Sequence, residues 1–86
     1  LVEKALEHPQ RYYDIEDKAY ETLTAREQEI MRLLAEGFSV RRVAQSLSIS
    51  YRTVENHRTS IFRKLNVKNL AELVHYAKRL GVIDFS

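Results

Sequence analysis

Helix-capping residues recur at short intervals from residue 23 to residue 81, and this punctuation constrains the fold more than any other feature of the 86-residue chain. Thr24 followed by Glu27 has the pattern of a capping box, in which each side chain satisfies a backbone N–H of the other residue. Apolar side chains then recur at helical spacing, and Gly37 suits the left-handed conformation that often ends a helix. A first helix is therefore predicted over about 25–36.

The next two helices are predicted from their caps in the same way. Ser39 suits the N-cap of a second helix, whose apolar side chains share one face. A tight turn at 48–49 follows, and Ser50 caps a third helix that runs to about Leu65. Asn66 tolerates a left-handed conformation better than most residues, so it is a suitable end for that helix.

A fourth helix is predicted between Asn69 and Gly81. Asn69 and Glu72 have the spacing of a second capping box, and Gly81 suits the C-terminal stop. No segment has the two-residue period of a strand, so residues 23–86 are predicted to form an all-α, four-helix domain. Its fourth helix is expected to turn inward the side chains of Leu70, Leu73, Val74, Ala77 and Leu80.

Charge divides the chain at about residue 22. Residues 1–22 carry a net charge of −3 and are predicted to be a linker, with a possible short helix at 2–7 that ends before a proline. The remainder carries +5, and the stretch from Arg41 to Lys64 supplies all of it, because six basic residues there are opposed only by Glu55. Such a concentration is typical of a phosphate-binding surface, although a solvated basic face explains the charge equally well.

The short turn between the second and third helices favours a helix-turn-helix. About three residues are too few for two helices to lie side by side as a long antiparallel hairpin. In a helix-turn-helix the later helix enters the DNA major groove. The outward positions of the third helix mix side chains that read bases with cations that hold phosphates. They are Arg52, Thr53, Glu55, Asn56, Thr59 and Arg63.

The order of residues resembles the LuxR/FixJ/NarL type of helix-turn-helix domain over about 22–83. The resembling segments are LTARE at 23–27, LLAEG at 33–37, VAQSL at 43–47, SYRTVENH at 50–57 and IFRKL at 61–65. The resemblance implies a transcription regulator, often the output domain of a two-component response regulator. It also implies double-stranded DNA as the partner, a homodimer formed through the fourth helix, and an upstream receiver or sensor domain.

The resemblance and the residue chemistry together assign the expected contacts. The family's contacting positions fall on Arg52, Thr53, Glu55, Asn56, Thr59 and Lys64. Asn56 has the groups to pair bidentately with adenine, and Arg58, Arg63 and Lys64 are expected to meet phosphates. The side chains assigned to dimerisation are Leu70, Leu73, Val74 and Ala77, which are otherwise core residues.

Glu55 stands where many family members carry lysine. A carboxylate repels phosphate but accepts a hydrogen bond from the amino group of cytosine. The sequence favours a second interpretation, in which Glu55 orients Arg52 or Arg58 about one turn away. Arg58 itself is either a phosphate contact or a cover for the flank of the helix.

Several functions are excluded or left without support by the composition. The absence of cysteine rules out disulfides, thiolate zinc sites and cysteine nucleophiles, and the histidines lack metal-ligand spacing. We therefore predict no catalytic site, no metal and no cofactor. His57, beside the apolar face, is expected to be a structural residue, with a phosphate contact as the alternative. The chain has no apolar run that could span a membrane and no signal peptide, which predicts a cytoplasmic protein.

Two other functions remain open at this stage. One is a sigma-factor region, whose promoter-reading helix-turn-helix has a similar pattern, although the fourth capped helix and His57 argue against it. The other is a protein-interaction module whose basic face binds an acidic partner. Because the chain begins with Leu1 and not with methionine, it is also expected to be a piece of a longer protein.

Overall fold

A computed structural model describes residues 18–83, and every regular element within that range is helical. The helices are α1 (Ala25–Ala35), α2 (Val40–Leu47), α3 (Tyr51–Leu65) and α4 (Leu70–Leu80). A single helical turn at 18–21 precedes α1. The predicted all-α, four-helix architecture is confirmed, with helix limits within one residue of those expected. The possible helix at 2–7 lies outside the described residues.

Side-chain caps begin the helices at the predicted positions. The Glu27 amide donates to Thr24 Oγ1 at 3.1 Å, and the Thr24 amide donates to Glu27 Oε1 at 2.9 Å, so the capping box is complete. Ser39 and Ser50 each accept a hydrogen bond from the amide three residues later, at 3.1 and 3.0 Å. These bonds satisfy N–H groups that have no partner inside the helix, which is why α2 and α3 begin where they do.

The start of α4 differs from the predicted capping box in one bond. Asn69 Oδ1 accepts from the Glu72 amide at 2.9 Å, as expected. The Glu72 carboxylate, however, accepts from the amide of Lys68 at 2.8 Å, one residue before the cap. The turn between α3 and α4 is therefore tied to the first turn of α4 through Lys68.

Three of the four helices end at a residue in the left-handed conformation. The φ angles are 59° at Ser48, 58° at Asn66 and 77° at Gly81. Helix α1 instead ends at Glu36 in the right-handed region, and Gly37 follows with a φ of 104°. The asparagine stop of α3 is confirmed. The serine at the end of α2 adopts a conformation that normally favours glycine or asparagine.

One hydrophobic core joins the four helices. Helix α1 packs against the other three, and α3 packs against α1 and α2. On α3 the buried side chains are Val54, Ile61 and Leu65, which face this core from one side of the helix. The largest fully buried side chains of the described chain are Ile30, Met31, Ile61, Leu73, Val43 and Val54. The core therefore fixes which face of α3 remains in solvent.

The orientation of α4 corrects the sequence-based assignment. Leu70, expected to face inward, is 47% exposed, whereas Tyr76, which was not among the residues predicted to face inward, is buried. Leu73 and Ala77 are both 0% exposed because they pack into the core of their own chain. Neither side chain reaches the surface, so their burial argues against a direct contact of these two residues with a second copy. Of the four residues assigned to dimerisation, Leu70 and the half-buried Val74 reach the surface.

The serine at the end of α2 gives a stability prediction. We expect Ser48→Gly to raise the free energy of unfolding by about 0.5–1 kcal/mol, because glycine relieves the steric cost of a left-handed residue but loses more entropy on folding. Ser46→Gly is the matched control inside α2 and should lower the free energy of unfolding by about 0.5 kcal/mol. Urea denaturation measures both changes. If both variants changed the free energy of unfolding in the same direction, the proposed strain at Ser48 would be contradicted.

Candidate nucleic-acid interface

Four exposed polar side chains form a stripe along α3, which we call the α3 stripe: Arg52, Asn56, Thr59 and Arg63. They recur every three or four residues, so they lie on one side of the helix. Val54 and Ile61, both fully buried, lie on the opposite side and hold the helix against the core. The stripe thus presents two cations, an amide and a hydroxyl to solvent.

The N-terminal turn of α3 favours an anion. It contains no acidic residue, so no carboxylate offsets the positive end of the helix dipole. The predicted contact Thr53 lies in this turn, half-buried, with its hydroxyl 2.8 Å from that of Ser50. Thr53 is therefore part of the cap as well as a neighbour of the stripe. The exposed ring of Tyr51, which sequence reasoning did not single out, lies at the same end.

One flank of the stripe is bonded to α1 through a buried carboxylate. Lys64 Nζ donates to Glu27 Oε1 at 2.8 Å, and Ser60 Oγ donates to Glu27 Oε2 at 2.8 Å. Lys64 also reaches the carbonyl oxygen of Thr22 at 3.4 Å. The predicted phosphate contact Lys64 thus already has a protein partner, and it lies beside the stripe with its side chain 30% exposed.

The Glu27 carboxylate stays charged although it is only 5% exposed. Burial alone would raise its pKa, but hydrogen bonds from Lys64, the Thr24 backbone and Ser60, together with the charge of Lys64, lower the pKa to about 2. Sequence reasoning identified Glu27 only as a capping residue. The serine and lysine at 60 and 64, spaced by one helical turn, were the available signal for its second role.

The other flank of the stripe carries a second ion pair. Arg58 Nη2 donates to Glu55 Oε1 at 3.1 Å, and the guanidinium carbon of Arg58 lies 5.4 Å from the centre of the Phe62 ring. Glu55 thus pairs with Arg58, one of the two arginines that it was expected to orient. Arg58 also covers the flank of α3, as one of its two sequence-based interpretations expected.

Further cations extend the basic surface beyond α3. Arg41 and Arg42 are exposed on α2, and Arg42 lies over the Phe38 ring with its guanidinium carbon 5.7 Å from the ring centre. Arg41 and Tyr51 line a shallow cleft of about 540 Å³ beside the turn between α2 and α3. The structure thus brings Arg41 of α2 to the region around the start of α3, whereas Arg42 lies beside Phe38.

Other kinds of site find no support in the described part of the chain. Between residues 18 and 83, no three histidine or acidic side chains come close enough together to hold a metal ion. No helix in the same range is long and apolar enough to cross a membrane. His57 is half-buried on α3, as its position beside the apolar face suggested.

The sequence matches the family model described as bacterial regulatory proteins, luxR family, over residues 21–77. The chain belongs to the luxR family. The match spans the helix-turn-helix and most of α4, so it covers the site described above. It places this domain among DNA-binding transcription regulators and not among enzymes, and it favours this function over the sigma-factor and protein-interaction alternatives.

Relatives of this luxR-family domain include regulatory proteins, and one similar solved structure is a response regulator. The oxygen regulatory protein NreC of Staphylococcus carnosus (strain TM300) is 42% identical over 66 residues, and NreC of Staphylococcus aureus (strain JH9) is 39% identical over 66 residues. These alignments cover 77% of this chain and 30% of each relative, so the chain spans less than a third of their length. The low-resolution structure of the response regulator StyR superposes with a TM-score of 0.81 at 33% identity, covering 88% of this chain and 38% of that one.

The buried carboxylate predicts how stability depends on pH. The pKa of Glu27 lies below its ordinary value of 4.5, so its charge stabilises the fold above pH 4.5 and this contribution is lost as the pH falls towards 2. Glu27→Gln keeps a capping side chain but removes the charge, and we expect it to lower the free energy of unfolding at pH 7 by on the order of 3 kcal/mol.

Urea unfolding at pH 7 and at pH 3 checks this prediction. The parent should lose stability between the two values, and Glu27→Gln should lose clearly less. Glu29→Gln is the matched control, because that carboxylate is exposed and pairs with Arg26 on the same helix at 3.7 Å. It should change stability by less than about 0.5 kcal/mol. If Glu27→Gln and the parent lost the same free energy of unfolding between pH 7 and pH 3, the assigned role of the carboxylate would be contradicted.

Proposed function

We propose that this domain binds double-stranded DNA in a sequence-specific manner, with α3 (residues 51–65) in the major groove. The observation that carries the proposal is the α3 stripe, which is exposed while the opposite side of the helix is buried in the core. A helix of 15 residues is about 22 Å long at about 1.5 Å per residue, and the major groove, about 12 Å wide, admits it. The stripe offers the groups that base edges and phosphates bind.

The proposed roles follow from chemistry and position. Arg52 and Arg63 lie at the two ends of the stripe, which suits them to the phosphates on either side of the groove. Asn56 and Thr59 lie between them, where side chains meet base edges, and Asn56 can pair bidentately with adenine. The remaining proposed contacts flank the stripe and are partly engaged within the protein. They are Thr53, Glu55, Arg58 and Lys64.

The similarity to response regulators supports a wider proposal for the whole protein. We expect a receiver or sensor domain upstream of this one, as in a two-component system, and a cytoplasmic location where the bacterial chromosome is accessible. Because the chain covers only 30% of the NreC relatives, neither their signal nor their target genes transfer to this chain.

We also propose that two copies bind DNA together through α4. A two-fold dimer places its recognition helices in successive major grooves, about 34 Å apart. The apolar side chains of α4 that reach the surface are Leu70, which is 47% exposed, the exposed Ala71, and the half-buried Val74 and Leu80. Such a small surface favours a dimer that forms on DNA, where the duplex holds the two copies close together.

Two variants test the binding proposal against duplexes obtained by site selection. Asn56→Ala should relax discrimination at one base position by about 1–3 kcal/mol, because one base edge loses its partner. Arg63→Ala should weaken binding to every duplex and reduce the slope of log affinity against log salt by about one contact. Fluorescence anisotropy over a salt series measures both effects.

The control for these variants is Arg32→Ala, which removes a cation from α1 that pairs with Glu36 at 3.6 Å. It should leave both the salt slope and the base preference unchanged. If the parent chain shows no salt-dependent affinity for any duplex, the DNA-binding proposal is wrong. Binding to an acidic protein would then be the better explanation of the basic face.

The dimer proposal is tested by a charge placed on α4. Leu70→Glu should reduce cooperative binding to a two-half-site duplex at least tenfold, because it puts two carboxylates into the contact between the copies. Binding to a single half-site should fall much less, because Leu70 shares a cleft with Thr59 and Arg63 but is not itself part of the α3 stripe. A gel-shift titration on both duplexes distinguishes these outcomes. An equal loss of affinity for the two duplexes would contradict a role of Leu70 in dimerisation.

A further inference from the structure

Glu55 is an acid at the edge of a surface that is otherwise suited to DNA. It lies one turn after Arg52 and one turn before Thr59, with its side chain 33% exposed. An isolated carboxylate there would repel the phosphates on either side of the groove. The hydrogen bond from Arg58 Nη2 to Glu55 Oε1, 3.1 Å long, makes the pair neutral overall. The pair therefore permits a carboxylate to lie beside the α3 stripe.

Arg58 is engaged on two sides. Its guanidinium lies over the Phe62 ring, and the guanidinium carbon is 5.4 Å from the ring centre. The same guanidinium donates a hydrogen bond to the Glu55 carboxylate. Its Nε is buried and has no hydrogen-bond partner among residues 18–83. To reach a phosphate, the guanidinium would have to give up the ion pair or the ring contact. Its present contacts instead suit it to fixing the position of Glu55.

The second oxygen of Glu55 remains open as an acceptor. Within the described chain, no group hydrogen-bonds to Oε2, while Oε1 is held by Arg58. Of the four bases, cytosine presents its N4 amino donor in the major groove without the N7 acceptor that adjoins the amino group of adenine. Guanine and thymine present acceptor oxygens at that position, which repel a carboxylate. A carboxylate fixed at one oxygen therefore matches cytosine best.

We propose that Glu55 reads a cytosine in the major groove and that Arg58 is the positioning residue that holds and neutralises it. This inference rests on the proposed DNA binding and adds to it a base identity and a second residue. It also reassigns Arg58 from the phosphate contacts to a role inside the protein.

Site selection from random duplexes, run with the parent and with Glu55→Gln, tests the base assignment. The parent should enrich cytosine at one position, and Glu55→Gln should reduce that preference about tenfold while the other positions keep theirs. Glu29→Gln is the matched control, since Glu29 forms an ion pair of the same i,i+3 spacing with Arg26 away from α3. It should leave the selected motif unchanged.

A double-mutant cycle with Arg58→Met tests the positioning role. Methionine keeps apolar cover over Phe62 but leaves Glu55 unpaired, so Arg58→Met should bind all duplexes at least fivefold more weakly and lose much of the cytosine preference. Adding Glu55→Gln should restore affinity to within about twofold of Glu55→Gln alone, because no unpaired carboxylate remains. Thermal melting followed by circular dichroism should show that all the variants are folded.

The outcomes separate this inference from the function on which it rests. A parent chain that binds no duplex contradicts the proposed function itself. A parent that selects a motif whose cytosine preference is independent of Glu55 overturns the base assignment alone. A double variant that stays as weak as Arg58→Met, with a salt slope lower by about one contact, identifies Arg58 as a phosphate contact and overturns its positioning role.

Discussion

The placement of α3 depends most on the hydrogen bonds of the Glu27 carboxylate. The carboxylate begins α1 through its bonds with Thr24, and it binds Ser60 and Lys64 of α3 with its two oxygens. A buried charge is unfavourable unless its hydrogen bonds are satisfied, so any rotation of α3 that broke these bonds would be opposed strongly. The apolar core stabilises α3 through buried surface area, which changes little when the helix rotates slightly. The hydrogen bonds of the carboxylate add a restraint that depends on direction.

On both flanks of α3, polar side chains are engaged by ion pairs within the protein, but the partners differ. On one flank a buried acid from α1 bonds a lysine and a serine, and on the other an arginine rests on an aromatic ring and pairs with an acid of its own helix. Both arrangements engage polar groups beside the stripe within the protein and leave Glu55 Oε2 open among the described residues. The side chains of the stripe itself are left exposed, which is the condition for meeting an external partner.

Local sequence rules predicted most of the fold because the helix limits are local events. Ser39, Ser50 and Asn69 each cap the helix that begins at the next residue, and Asn66 adopts the left-handed conformation expected of it. The orientation of α4 was predicted less well, since Leu70 lies at the surface and Tyr76 in the core. A helix with apolar residues on several sides has no unique inward face until its neighbours are present. The bond between Lys64 and Glu27 joins residues 37 apart in the sequence, and no local pattern specifies such a partner.

Among residues 18–83, no side chain of the α3 stripe forms a hydrogen bond or ion pair with another residue, and this separation has a consequence for how such a domain can diversify. Arg52, Asn56, Thr59 and Arg63 are exposed on a helix whose cap, core face and two flanks are secured by other residues. Exchanges at these four positions change what the helix offers to a ligand while leaving the scaffold intact. New binding preferences are thus accessible by single substitutions that do not first require a compensating repair elsewhere.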